Sequence, residues 1–185
     1  MKNFFWIVGI ILVVVVISLI AGYNGLVAKH EDITAKWSQV ENQLQRRVDL
    51  IPNLVNTVKG YAAHEKTLFE EITRARSQWA EAKTVDDKLK AASQLDSTLS
   101  RLLLVVENYP NLKADATFLK LMDELSGTEN RIAVERMRYN EAVKEYNIAV
   151  RSFPGNILAG ILGFRPASEY FKAEQKAREV PQVRF

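Results

Sequence analysis

Carboxylate and histidine side chains are the groups in this sequence that could support catalysis or bind a metal. Four glutamates lie within or beside apolar helical stripes, and in a helical bundle such carboxylates can hold metal ions. These glutamates are Glu65, Glu107, Glu129 and Glu135. Di-iron bundles also use Glu-x-x-His pairs, which are absent here, and His64-Glu65 is followed by Leu68 where a zinc protease has its second histidine. We therefore predict no catalytic residue, metal site, cofactor or enzymatic activity.

A wider set of polar residues predicts an interaction face. The set comprises Arg47, Asp49, Glu65, Glu107, Glu129, Arg131, Arg136, Tyr139, Asn140 and Asn147. Tyr139-Asn140 and Tyr146-Asn147 repeat one dipeptide seven residues apart, which places both pairs on one face of a helix. One interpretation is that these polar residues fix helix register at some cost in stability. The other is a polar groove that holds a ligand or a partner helix.

Apolar periodicity predicts the helices that position these residues. The first stripe runs from Ile33 to Val48, and Pro52 is expected to end or kink that helix. A second stripe extends from Leu54 to Trp79. Thr84, with Asp87 three residues later, predicts the start of a third helix.

The third helix is expected to stop at Asn108-Tyr109-Pro110, and a fourth stripe then extends from Phe118 to Val150. Phe153-Pro154-Gly155 ends this longest helix. No segment alternates apolar and polar residues as a half-buried strand would. The fold class is therefore all-α, with an antiparallel bundle of about four long helices and a near-heptad, coiled-coil-like core.

The N-terminal run from Phe4 to Ala21 has no charged residue, and this length covers most of a hydrocarbon core about 30 Å thick. A cleaved signal peptide is the alternative, but Leu19 or Ile20 would occupy the −3 position. We expect an uncleaved single-pass anchor, with the soluble part facing outward. Gly22 and Gly25, just beyond it, provide a hinge or allow close helix packing.

A short apolar run after Pro154 predicts a further surface. It contains Ile157, Leu158, Ile161, Leu162 and Phe164, and is too short to cross a bilayer. It either caps the open end of the bundle or contacts the membrane or another subunit. The predicted domains are an anchor over 1–25, a bundle over 26–153, and an apolar segment and tail over 154–185.

Composition narrows the class of protein further. With 48% hydrophobic and 25% charged residues, the chain has the make-up of a folded protein. The net charge of +3 leaves no strong basic excess, so a nucleic-acid partner is not expected. The chain has no cysteine, which excludes disulfides and thiol catalysis.

Several motifs in order along the chain resemble the LemA family of bacterial membrane-anchored proteins. They are Tyr23-Asn24, the run from Arg47 to Val55, Gly60-Tyr61 with Glu65, the run from Glu107 to Lys113, Thr128 to Ile132, Tyr139-Asn140, Tyr146-Asn147, Phe153-Pro154 and the region of Gly163-Phe164. The resemblance covers nearly the whole chain. It implies an N-terminal anchor, a helical bundle and a bacterial inner (plasma) membrane location, but no established reaction, cofactor or catalytic residue.

The anchor, the long fourth helix and the extra apolar segment predict a non-enzymatic membrane scaffold that self-associates, because anchoring raises local concentration. The expected partners are the lipid bilayer and further copies of the chain, together with a partner protein that the sequence does not identify. The alternative is a membrane-tethered binding module that uses the polar face of the long helix.

Overall fold

The computed structural model describes residues 2–167, 170 and 171, and within these residues it contains helices and no strands. The helices are α1 (Lys2–Lys59), α2 (Lys66–Glu81), α3 (Val85–Val106), α4 (Pro110–Lys113), α5 (Ala116–Arg151) and α6 (Gly155–Leu162). The predicted all-α class is confirmed. Near-heptad packing of the coiled-coil type stays a prediction.

Helix α1 continues through two sites where the sequence predicted an end or a kink, at Pro52, and a hinge or close helix packing, at Gly22 and Gly25. It passes Gly22 and Gly25, and Pro52 lies inside it instead of ending it. Proline removes one helical hydrogen bond. Ile51, Leu54 and Val58 are fully or almost fully buried around this position, and burying such side chains stabilises by about 1.5 to 3 kcal/mol each, which offsets the loss.

The second apolar stripe is divided between two helices, so its prediction as one continuous element is wrong. Its first members belong to α1, and the chain leaves helical geometry at Gly60 before α2 begins at Lys66. A turn replaces the helix here, with the amides of Tyr61 and Ala62 both donating to the carbonyl of Val58. Glycine favours such a break because helix formation restricts its backbone most.

The other predicted helix boundaries are confirmed. The Thr84 hydroxyl accepts a hydrogen bond from the Asp87 amide at 3.1 Å and caps α3. Helix α3 ends at Val106, shortly before Pro110 starts the single turn of α4. Helix α5 is the predicted long helix and has 36 residues.

The chain divides into two compact units, Met1–Ser38 with Glu135–Phe185, and Gln39–Val134. In the second unit, α2 packs along α3, with apolar residues such as Ile72, Trp79 and Leu102 buried. In the first unit, Leu26, Tyr146, Val150 and Ala159 form a core cluster. The domain boundaries inferred from the sequence stay a prediction.

Candidate functional site

The ten predicted face residues lie in both units. The unit Gln39–Val134 contains Arg47, Asp49, Glu65, Glu107, Glu129 and Arg131. The first unit contains Arg136, Tyr139, Asn140 and Asn147. Each group has its own environment.

Arg47 is the centre of the charged group in the second unit. Its Nη1 donates to Oε2 of Glu129 at 2.6 Å and lies 2.7 Å from Oδ1 of Asp96. The Arg47 side chain is 13% exposed, so this pairing is shielded from water on the arginine side. A cavity of about 170 Å³ lies beside Arg47 and Glu129, and its other walls are mostly apolar. The arrangement joins three helices and holds a cation between two anions.

The remaining predicted residues of this unit make separate single contacts or face solvent. Asp49 accepts a hydrogen bond from Gln45 at 2.8 Å, and Glu65 accepts a long one from the Tyr109 hydroxyl at 3.4 Å. Glu107 and Arg131 are exposed. These contacts bring the six residues of this unit into no single cluster.

Asn140 and Asn147 bind the main chain that follows α6, which is described at residues 164–167, 170 and 171. The Asn147 amide donates to the carbonyl of Ala167 at 2.8 Å, and its oxygen accepts from the Ala167 amide at 2.8 Å. Asn140 repeats this arrangement with Phe171, at 3.0 Å and 2.9 Å. Each asparagine thus satisfies both backbone groups of one residue, and we call the two side chains the asparagine pair.

The spacing of the asparagine pair matches the spacing of its ligands. Seven helical residues separate the pair by about 10.5 Å along α5. Four residues of chain, from Ala167 to Phe171, can span up to about 13 Å. The later asparagine binds the earlier residue, so Ala167 and Phe171 are bound in an order opposite to the direction of α5.

The Phe171 ring lies in a pocket of aromatic and cationic side chains. It stacks with Trp37 at a centroid distance of 5.9 Å and meets Tyr139 edge to face at 5.4 Å. The guanidinium carbon of Arg136 lies 5.1 Å from the ring centroid, which is cation–π distance. We call Trp37, Tyr139 and Arg136 the aromatic pocket.

Two tyrosines extend this polar contact. The buried Tyr146 donates to the carbonyl of Arg165 at 3.0 Å, and burial raises its pKa. The hydroxyl of Tyr170 accepts a hydrogen bond from Asn147 at 3.1 Å.

The repeated Tyr-Asn dipeptide identified half of this site from the sequence. Its ligands, Ala167 and Phe171, and its wall, Trp37, had no sequence signal because only the fold brings them together.

The five apolar residues around α6 divide into two groups. Leu158 and Phe164 are half-buried and pack against the core cluster of the first unit. Ile157, Ile161 and Leu162 are 53%, 76% and 47% exposed. The outer face of α6 is therefore apolar, and none of the described residues covers it.

Two carboxyl groups near the surface, those of Glu145 and Asp115, have a lowered pKa. Lys29 donates to Glu145 at 2.9 Å and lowers the pKa of that carboxyl. Hydrogen bonds from the Phe118 amide and the Tyr61 hydroxyl lower the pKa of Asp115. The hydrogen bond between Tyr61 and Asp115 also raises the pKa of Tyr61. In the part of the chain that the structure describes, no three acidic or histidine side chains are grouped to hold a metal ion.

Three named bacterial proteins are similar in sequence to this chain. The chain is 33% identical to magnetosome protein MamQ 2 of Paramagnetospirillum magneticum, over 90% of this chain and 70% of that protein. It is 30% identical to magnetosome protein MamQ of Magnetospirillum gryphiswaldense, over 93% and 72%. It is 28% identical to protein LemA of Metamycoplasma hominis, over 74% and 63%.

Membrane association follows from these relatives together with α1, which by length and composition is able to cross a membrane. The model of the LemA family matches residues 36–185 and includes both the asparagine pair and the residues that it binds. This match covers most of the sequence, and the chain belongs to the LemA family.

Proposed function

We propose that this protein is a single-pass, non-enzymatic helical scaffold of the bacterial inner (plasma) membrane, facing outward, whose copies associate with one another. The observation that carries the proposal is the asparagine pair with its bound main chain. A site of this kind holds polypeptide, and its occupant belongs to the same chain.

Self-association is supported because each copy carries both the site and a ligand for it. The ligand follows α6, so an identical segment from a neighbouring copy would make the same bonds. Exchange of an identical element is a low-cost route to oligomers. An anchor confines the copies to two dimensions, which raises their effective concentration and favours such exchange.

A non-enzymatic role is supported by how the polar side chains are used. Asn140 and Asn147 have both their amide nitrogen and their oxygen bonded to backbone. Arg47 is paired with Asp96 and Glu129. These groups hold chain segments together, which is the work of a scaffold.

A second candidate is a membrane-tethered binding module that uses the same face of α5. It is favoured by the recognition of main-chain atoms, which every peptide offers. A partner segment with a small residue, and an aromatic one four positions later, would fit the asparagine pair and the aromatic pocket. Such a segment would have to displace the chain's own residues.

Co-purification of two differently tagged full-length copies from one membrane, in mild detergent, tests the scaffold. We expect the copies to purify together, and expect the double variant Asn140→Ala with Asn147→Ala to lose this association. Asn130→Ala is the matched control, since Asn130 is an exposed asparagine of the same helix. Association that survives the double variant would exclude segment exchange, and a monomer in every case would overturn the scaffold and favour the binding module.

A further inference from the structure

Within residues 2–167, 170 and 171, helix α6 presents an apolar face that no other residue covers. Gly155–Leu162 contains no charged residue. The exposed side chains of Ile157, Ile161 and Leu162 are joined by Phe153, just before the helix, which is 80% exposed. Four large apolar residues so close together on a surface indicate a contact with another apolar phase.

The position of α6 along α1 identifies that phase. A Cβ atom on Gly22 would lie 2.5 Å from Leu158 Cδ1, so α6 touches α1 at this glycine. The ring of Phe164 meets Tyr23 edge to face, with centroids 6.1 Å apart. Ala159 packs in one cluster with Leu26. Helix α6 therefore crosses α1 between Gly22 and Leu26.

This part of α1 coincides with the edge of a bilayer. A hydrocarbon core about 30 Å thick needs about 20 helical residues, so a span that starts near Phe4 ends near Tyr23. The first charged side chain beyond it is Lys29, and the uncharged stretch from Asn3 to Ala28 is about 39 Å long. The last turns of this stretch would therefore lie in the headgroup layer.

We propose that α6 lies in the boundary between the headgroups and the acyl chains of the same bilayer, with Ile157, Ile161 and Leu162 inserted among the lipids. The inference rests on the proposed anchor. Interfacial helices bury their apolar face by about 5 to 10 Å at this depth. Lipid is favoured over a second copy because α6 packs against α1 at Gly22 and Tyr23, next to the exposed apolar residues of the proposed span.

Charge at the two ends of α6 fits the same partner. Arg151 precedes the helix and Arg165 follows it, and both are exposed. Arginine side chains at this height can reach phosphate groups while their stems lie along apolar surface. Anionic lipid is therefore expected to strengthen the contact.

The absence of cysteine allows a direct test with single spin labels. Full-length protein with Ile161→Cys is labelled and reconstituted into vesicles of phosphatidylcholine and phosphatidylglycerol. Collision with oxygen, which concentrates in lipid, is compared with collision with a water-soluble nickel chelate. Lys144→Cys, exposed on α5, gives the aqueous reference, and Val14→Cys gives the reference for the span.

We expect the ratio of oxygen to nickel collisions at position 161 to be several-fold higher than at position 144 and to approach that at position 14. A ratio at position 161 equal to that at position 144, with position 14 in lipid, would overturn the inference and leave the anchor intact. Shielding of position 161 from both reagents would overturn it in favour of a protein contact. An aqueous signal at position 14 would overturn the anchor itself.

Discussion

Replacing Asn147 with alanine should release Ala167 from α5 without unfolding the helix. Asn147 is 6% exposed, and its side chain makes three hydrogen bonds, all to residues of the post-α6 chain. Alanine is a good helix former, so α5 itself is expected to persist. The Ala167 amide, which donates to Asn147 Oδ1, would lose its acceptor and exchange with solvent.

The expected magnitude follows from the two bonds between Asn147 and Ala167. Each hydrogen bond contributes about 1 kcal/mol net, and the third bond, to the exposed Tyr170 hydroxyl, is readily replaced by water. With lost packing included, we expect local opening to become easier by about 2 to 3 kcal/mol. This change corresponds to an increase of roughly 30- to 150-fold in the exchange rate of the Ala167 amide.

Residue-resolved amide exchange on the full-length protein in lipid nanodiscs measures this effect. Asn140→Ala should produce the same change at the Phe171 amide, while Asn130→Ala should leave both amides unchanged. The amide of Val143, in the buried face of α5, reports on global unfolding and should stay protected in every variant. An unchanged rate at Ala167 in Asn147→Ala would refute the role of the asparagine pair.

Three further predictions concern stability. Arg47→Met should lower the free energy of unfolding by about 1 to 2 kcal/mol in urea titrations, because Asp96 and Glu129 lose their cation, while Arg138→Ala, at an exposed pair, should change it by less than about 0.5 kcal/mol. The pKa of Asp115 is lowered in the folded state, so the stabilisation from this carboxylate is present above a pH of about 4 and is lost as the pH falls through the folded pKa. Thermal unfolding should show that the melting temperature of Asp115→Asn falls less on acidification than that of the wild type. Equal falls in melting temperature would contradict this prediction. Gly155→Ala places a Cβ against the carbonyl oxygen of Ala149 and should lower the melting temperature, whereas Gly160→Ala, with open space in the same helix, should leave it unchanged or raise it slightly.

Local signals in the sequence predicted most helix boundaries. The Thr84 cap, the break before Pro110 and the long helix up to Arg151 depend on residues close together in the chain, and all three agree with the structure. Pro52 was expected to end or kink its helix, and the helix does not end there. The reason is tertiary packing, which buries Ile51 and Leu54 on either side of Pro52 and so stabilises the helix there.

The candidate site was predictable only in part for the same reason. The heptad spacing of Asn140 and Asn147 placed them on one face, which the structure shows engaged with main chain. Nothing near them in sequence indicated Phe171 or Trp37, which come from the far end of the chain and from α1. Arg47 and Glu129 were both chosen for their polarity, but their pairing with Asp96 depends on tertiary packing.

The unbroken passage of α1 through Gly22 and Gly25 fixes a rotational phase between the proposed membrane span and α6. One residue inserted after Ala21 would turn everything beyond it by about 100° about the helix axis and advance it by about 1.5 Å. Seven inserted residues would nearly restore the angle but would lift α6 by about 10 Å, above the depth in the bilayer that we propose for it. The number of residues in the proposed span therefore sets both the rotation and the height of the α6 face. The effect of an insertion at this junction depends on the angle that it introduces as well as on its length.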